Sequence, residues 1–106
     1  MTKKMIRHIV LFKLKSGIES KAVDHVFSAL KDLTDKIPCI ISISAGRDNS
    51  PEGLQRGNTH GFTVDFTNAA ARDVYLPHPA HQAVGKMIVG ITEGGVDGIT
   101  VLDWEF

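Results

Sequence analysis

The chain is short of several things, and each shortage removes a class of function. It has one cysteine, one tryptophan and one tyrosine in 106 residues. With Cys39 alone no intrachain disulfide forms, which fits a reducing cytoplasm as the expected location. Twelve basic and twelve acidic residues cancel, so the positive footprint of a nucleic-acid binder is missing. No apolar run approaches the roughly 20 residues that span a bilayer, and no membrane association is expected. The basic start, Met1 to His8, runs into a patterned strand without a small-residue cleavage site. Gly-x-Ser-x-Gly elbows, phosphate loops and dinucleotide fingerprints are lacking too. A chain of this length builds one modest core, so a single domain over residues 1–106 is expected.

What is present alternates in period. Met5 to Leu14 switches apolar and polar positions as a strand does, with Ile6, His8, Val10, Phe12 and Leu14 on one side. From Glu19 to Lys36 the period becomes helical, and Val23, Val26, Phe27, Leu30, Leu33 and Ile37 form one stripe. Pro38 ends that helix by disfavouring a helical residue before it. Cys39 to Ala45 is a β-branched strand, and Gly46 to Gly57 is a polar connecting loop. Thr59 to Phe66 alternates again, with His60, Phe62, Val64 and Phe66 together. Asn68 is a suitable N-cap for Ala69 to Tyr75. A further helical segment follows Pro79, and a glycine-rich turn at Glu93 to Gly98 leads into a last strand, Ile99 to Phe106. The order βαββαβ is that of an α+β, ferredoxin-like fold: a four-stranded antiparallel sheet with its helices on one face.

The first and last strands are apolar on both sides, Val10 and Phe12 against Ile9 and Leu11, and Ile99 and Val101 against Leu102, Trp104 and Phe106. Strands apolar on both faces are usually covered on both. The helices supply one cover, and a second copy is the simplest source of the other, giving a homodimer through the open sheet face and a dimeric α/β barrel.

The polar groups inside this pattern are mostly histidines. His8 and His60 each lie on an apolar strand face, where a histidine is commonly a core residue with satisfied ring nitrogens. Adjacent central strands would bring both towards the helix layer. His78-Pro79-Ala80-His81, with Tyr75 just before it, adds two more imidazoles and the only phenol. Proline favours the first helical position, so His78 is expected at the N-cap and His81 in the first turn. The positive end of the helix dipole there keeps His81 neutral and able to accept a proton. Tyr75 would donate a hydrogen bond to a carbonyl oxygen as an enolate develops. A His-x-x-His fragment is also compatible with zinc, but the usual helical pair is spaced i, i+4 and no cysteine or carboxylate is patterned nearby. No metal and no cofactor are therefore expected. His25 falls on the polar side of the first helix, and Cys39 reads as a small buried hydrophobe.

Ile6-Arg7-His8-Ile9-Val10-Leu11-Phe12-Lys13, Ile37-Pro38, Gly46, Thr59-His60-Gly61-Phe62, Tyr75-Leu76-Pro77-His78-Pro79-Ala80-His81 and Val101-Leu102-Asp103-Trp104 follow one another in an order that resembles the stress-responsive dimeric A/B barrel (Dabb) family. The resemblance spans essentially the whole chain, and Tyr-x-x-His-Pro-x-His is its most specific part. It implies a protomer that dimerises sheet to sheet. It also implies, for members that are enzymes, cofactor-free proton transfer beside a carbonyl, as in aldol-type cyclisation, lyase or isomerase steps. In that pattern His81 and Tyr75 are catalytic. His8, His60, Phe27, Leu30, Ile99 and Val101 line an apolar pocket for a small apolar or aromatic carbonyl ligand, and Phe62, beside His60, is expected to join them. A stress or small-ligand-binding homodimer without turnover is the alternative.

Overall fold

The computed structural model describes residues 4–106. Its sheet has the order β2-β3-β1-β4, all neighbours antiparallel, from β1 (Ile6–Phe12), β2 (Ile40–Arg47), β3 (His60–Phe66) and β4 (Ile99–Glu105). Helices α1 (Ser20–Lys36), α2 (Ala69–Tyr75) and α3 (Pro79–Ile91) supply the crossovers. This is the ferredoxin-like arrangement that the strand and helix periods imply.

Local chemistry sets the boundaries. Ile37 leaves the helix at φ −126°, as the following proline requires. The Asn68 side chain accepts from Ala71 N–H at the start of α2. His78 does the same for α3, its Nδ1 accepting from Ala80 N–H at 3.1 Å, with Pro79 in the first turn. Gly94 and Gly95 both take positive φ, 77° and 63°, in the turn that feeds β4, a conformation few other residues tolerate. β2 begins at Ile40 rather than Cys39, whose half-buried thiol instead meets the Ala71 carbonyl at 3.3 Å.

The core lies between sheet and helices. Ile6, Val10 and Phe12 from β1, Phe62, Val64 and Phe66 from β3, and Val26, Leu30 and Leu33 from α1 pack there with Ile88 and Ile91. Burying such side chains contributes about 1.5–3 kcal/mol each. The helices leave the middle of β4 uncovered. Val101, on the helix side of the sheet, is 56% exposed.

The opposite sheet face is divided. Side chains alternate along a strand, so Ile9 and Leu11 of β1 share that face with their neighbours Leu102 and Thr100 of β4. Leu11, Leu102 and Trp104 are all exposed. Leu11 lies across Gly61, where a Cβ would come within 2.8 Å of it. The other half is polar: Ser42 and Ser44 of β2 neighbour Asp65 and Thr63 of β3. Arg7 borders the two halves, held by Asp65 in a two-pronged pair at 2.9 Å and lying 4.4 Å over the Phe106 ring. The two-sided hydrophobicity of β1 and β4 is present, but it does not extend across the whole face.

Candidate functional site

Antiparallel pairing decides where the histidines go. His8 stands opposite Val64, whereas His60 stands opposite Phe12. Four residues of strand separate the two positions, about 13 Å at the usual rise. The single pocket expected to hold His8, His60, Tyr75 and His81 is therefore resolved into two clusters at opposite ends of the inner sheet face. Both histidines sit near the start of strands that run in opposite directions, and that is the physical reason.

The first cluster joins β1, β4 and the α2–α3 corner. His8 is 5% exposed. Its Nδ1 lies 2.7 Å from an Asp103 oxygen, and Arg72 Nη1 reaches the other oxygen at 3.3 Å. The carboxylate only accepts, so Nδ1 of His8 donates and Nε2 is left as the free ring nitrogen. The same logic fixes His81: its Nδ1 donates to the Leu76 carbonyl at 2.8 Å, leaving Nε2 unengaged there. Burial lowers the His81 pKa, the Leu76 carbonyl opposes this, and the electrostatic influence of the neighbouring His8 and His78 rings lowers it further. A ring so placed is neutral near pH 7, with a lone pair available.

Tyr75 sits between these imidazoles, its ring centroid 6.0 Å from that of His8 and 4.1 Å from that of His81. It packs on Phe66 at 5.0 Å and is 0% exposed. Its hydroxyl is buried without a hydrogen-bond partner among the described residues. Burial raises its pKa, so it remains a phenol that donates rather than a phenolate. A buried hydroxyl left unpaired costs about 1–3 kcal/mol.

The second cluster lies at the other end. His60 stacks on Phe12 at 5.8 Å, meets Phe27 edge-on at 6.0 Å, and places Nδ1 2.8 Å from the Thr59 hydroxyl. Partial burial and then the Arg47 charge lower its pKa. Phe27 and His60 line an open cleft of about 890 Å3 between the start of α1 and the loop after β2. His8, Tyr75 and His81 do not line it.

The remaining expected pocket residues divide. Leu30 and Phe62 are buried core residues, and Ile99 is partly buried against that core. Val101 is exposed at the uncovered middle of β4. Asp103 and Arg72 were not anticipated from sequence. Asp103 had a usable signal: it is the inward position of β4 after Ile99 and Val101, opposite His8. Arg72 had none, since it reaches Asp103 only through the packing of α2. Among the described residues no group of three or more histidine, cysteine or acidic side chains is arranged to hold a metal. His78 and His81 each commit Nδ1 locally, to Ala80 and Leu76.

Known proteins share this arrangement of sheet and helices. The family model of the stress responsive A/B barrel domain matches residues 6–106. The chain belongs to this family. It is 26% identical to the stress-response A/B barrel domain-containing protein HS1 of Arabidopsis thaliana, over 94% of this chain and 88% of that protein. It is also 26% identical to olivetolic acid cyclase of Cannabis sativa, over 77% of this chain and 81% of the relative. A dimeric ferredoxin-like protein of unknown function from Jannaschia sp. CCS1 superposes with a TM-score of 0.81 at 30% identity, covering 96% of this chain and 99% of the other. No helix among the described residues is long and apolar enough to cross a membrane.

Proposed function

We propose that the His8–Tyr75–His81 cluster performs cofactor-free proton transfer beside a carbonyl, in a cyclase, lyase or isomerase reaction on a small apolar or aromatic carbonyl compound. The observation that carries this reading is the buried, unpartnered Tyr75 hydroxyl between two imidazoles. A structural tyrosine in that position would have a partner, and a substrate carbonyl would supply one. His81 Nε2 takes the proton from the carbon next to the carbonyl. The electron pair moves onto the carbonyl oxygen, where the Tyr75 O–H stabilises it. His8, held by Asp103, orients the polar end of the substrate through Nε2. His81 is the half-buried member, so substrate reaches the phenol past its ring. The likeness to olivetolic acid cyclase supports this chemistry.

The test is protein-dependent exchange of solvent deuterium into the α-carbons of aromatic β-diketones, followed by proton NMR. His81→Ala and Tyr75→Phe are each expected to slow exchange by about 100-fold or more. Folded variants that exchange at the wild-type rate would sink the assignment. The second reading, a binding protein without turnover, is favoured by the complete burial of Tyr75 and by the opening of the cleft elsewhere. Under it, replacing His81 alters affinity or stability and no rate.

Two copies pair through the apolar half of the open sheet face in this reading, giving a dimeric barrel in the cytoplasm. Exposed Leu11, Leu102 and Trp104 support it, as do relatives described as dimeric. Sedimentation of the wild type is expected to give a dimer, and Leu102→Glu a monomer at the same concentration. A wild-type monomer would remove the pairing.

A further inference from the structure

The open cleft near His60 has two unlike walls. Leu14, Ile18, Val23 and Phe27 form an apolar side, and Arg47 and His60 stand together at the sheet end as paired neighbours on β2 and β3. Arg47 forms no ion pair among the described residues, unlike Arg7 and Arg72. The other charged side chains of the cleft are Lys15, Asp24 and Asp48. Asp48 is committed to its own loop, accepting from Ser50 N–H and the Gln55 side chain, and Lys15 donates to the Gly90 carbonyl at 3.1 Å. Arg47 is thus the cleft cation whose side chain has neither an ion-pair nor a hydrogen-bond partner among the described residues, and it stands at the head of an apolar trough. Its field also reaches His60, whose pKa it helps to lower.

We propose that this cleft binds an amphipathic small-molecule carboxylate, with its apolar body along Leu14, Ile18, Val23 and Phe27 and its carboxylate on Arg47. Charge complementarity selects the head group, because a guanidinium matches a carboxylate with two parallel N–H···O bonds. The apolar wall selects the tail, and the size of the cleft falls in the range of small-molecule sites. The assignment needs none of the proton-transfer chemistry proposed for the other end of the sheet.

Octanoate and octan-1-ol, alike in tail and different in charge, test it by NMR titration of the full-length protein. Octanoate is expected to shift the signals of Phe27, Ile18 and His60, and to raise the His60 pKa by countering Arg47. Arg47→Gln, at an exposed strand end, is expected to weaken octanoate by about tenfold or more, the equivalent of one charge-assisted pair. The same substitution should leave octan-1-ol unchanged. His81→Ala should bind octanoate as the wild type does, which separates this site from the proton-transfer reading. Equal octanoate affinity in wild type and Arg47→Gln, octanoate signals confined to the Tyr75 end, or no binding at millimolar ligand would each overturn the proposal.

Discussion

The two ends of the inner sheet face hold similar residues in opposite physical states. At the β4 end, an imidazole, a phenol and a second imidazole are packed to the point that Tyr75 is fully buried. At the β2 end, the His60 imidazole and the Phe27 ring, both packed on the buried Phe12, border an open cleft. The closed end has acid–base chemistry with little room, and the open end has room with little acid–base chemistry. What separates them is cover. Tyr75 and His81, from α2 and α3, sit against the first end, while the second is bounded by the N-terminal turns of α1 and a polar loop that leaves space between them. Desolvation at the closed end is what keeps Tyr75 a phenol and His81 a neutral base.

The largest expected difference between the ends is in stability. Tyr75→Ala removes a fully buried ring that touches Phe66, His8 and His81, and should cost about 3–5 kcal/mol in urea unfolding. Phe27→Ala removes a partly buried ring at the cleft wall, and should cost about 1–2 kcal/mol because less apolar area is withdrawn from water. Equal losses would mean that the cleft closes in solution. Tyr75→Phe sharpens the same contrast with a smaller change of opposite sign. Deleting an unpaired buried hydroxyl should stabilise the protein by about 1 kcal/mol. A group that weakens the fold yet is needed for proton exchange is the pattern expected of a functional site. If Tyr75→Phe is instead destabilising, the hydroxyl has a partner in solution and its functional assignment loses its main support.

Much of this was readable from sequence. The alternation of Met5 to Leu14 and of Thr59 to Phe66, the stripe from Val23 to Ile37 and the caps at Asn68 and His78 are local signals, and local signals survive folding. The His-Pro dipeptide placed His78 at the cap because proline and cap chemistry act within one turn. The periods put His60 on the helix side of the sheet, where it lies, but they carry no register, and register sets its distance from His8. In an antiparallel pair, residues near the two N-termini lie at opposite ends, so His8 and His60 diverge. Arg72 could not be found, since its contact with Asp103 depends on how α2 packs. The exposure of Val101 also depends on packing, because no periodicity says how many strands two crossovers will cover.

The smallest expected effect concerns pH and compares the two histidines directly. Both His81 and His60 have a folded pKa below the ordinary imidazole value, about 6.5. The unfolded chain therefore binds more protons than the native state below that value, and stability falls as pH drops. The stabilising contribution is present above about pH 6.5 and is lost as pH falls through the lowered folded pKa. His81 is the more deeply desolvated ring, and the neighbouring His8 and His78 rings push its pKa the same way, with the Leu76 carbonyl as its one opposing influence. His60 faces Arg47 across an open cleft, where solvent screens the interaction. Melting temperatures between about pH 7.5 and 5 should accordingly fall less steeply in His81→Gln than in wild type. His60→Gln should change the slope by a smaller amount in the same direction. A steeper acid loss in His81→Gln would mean that His81 is protonated and favourably paired in the native state, which would remove it as the base and leave the closed end without its proton acceptor.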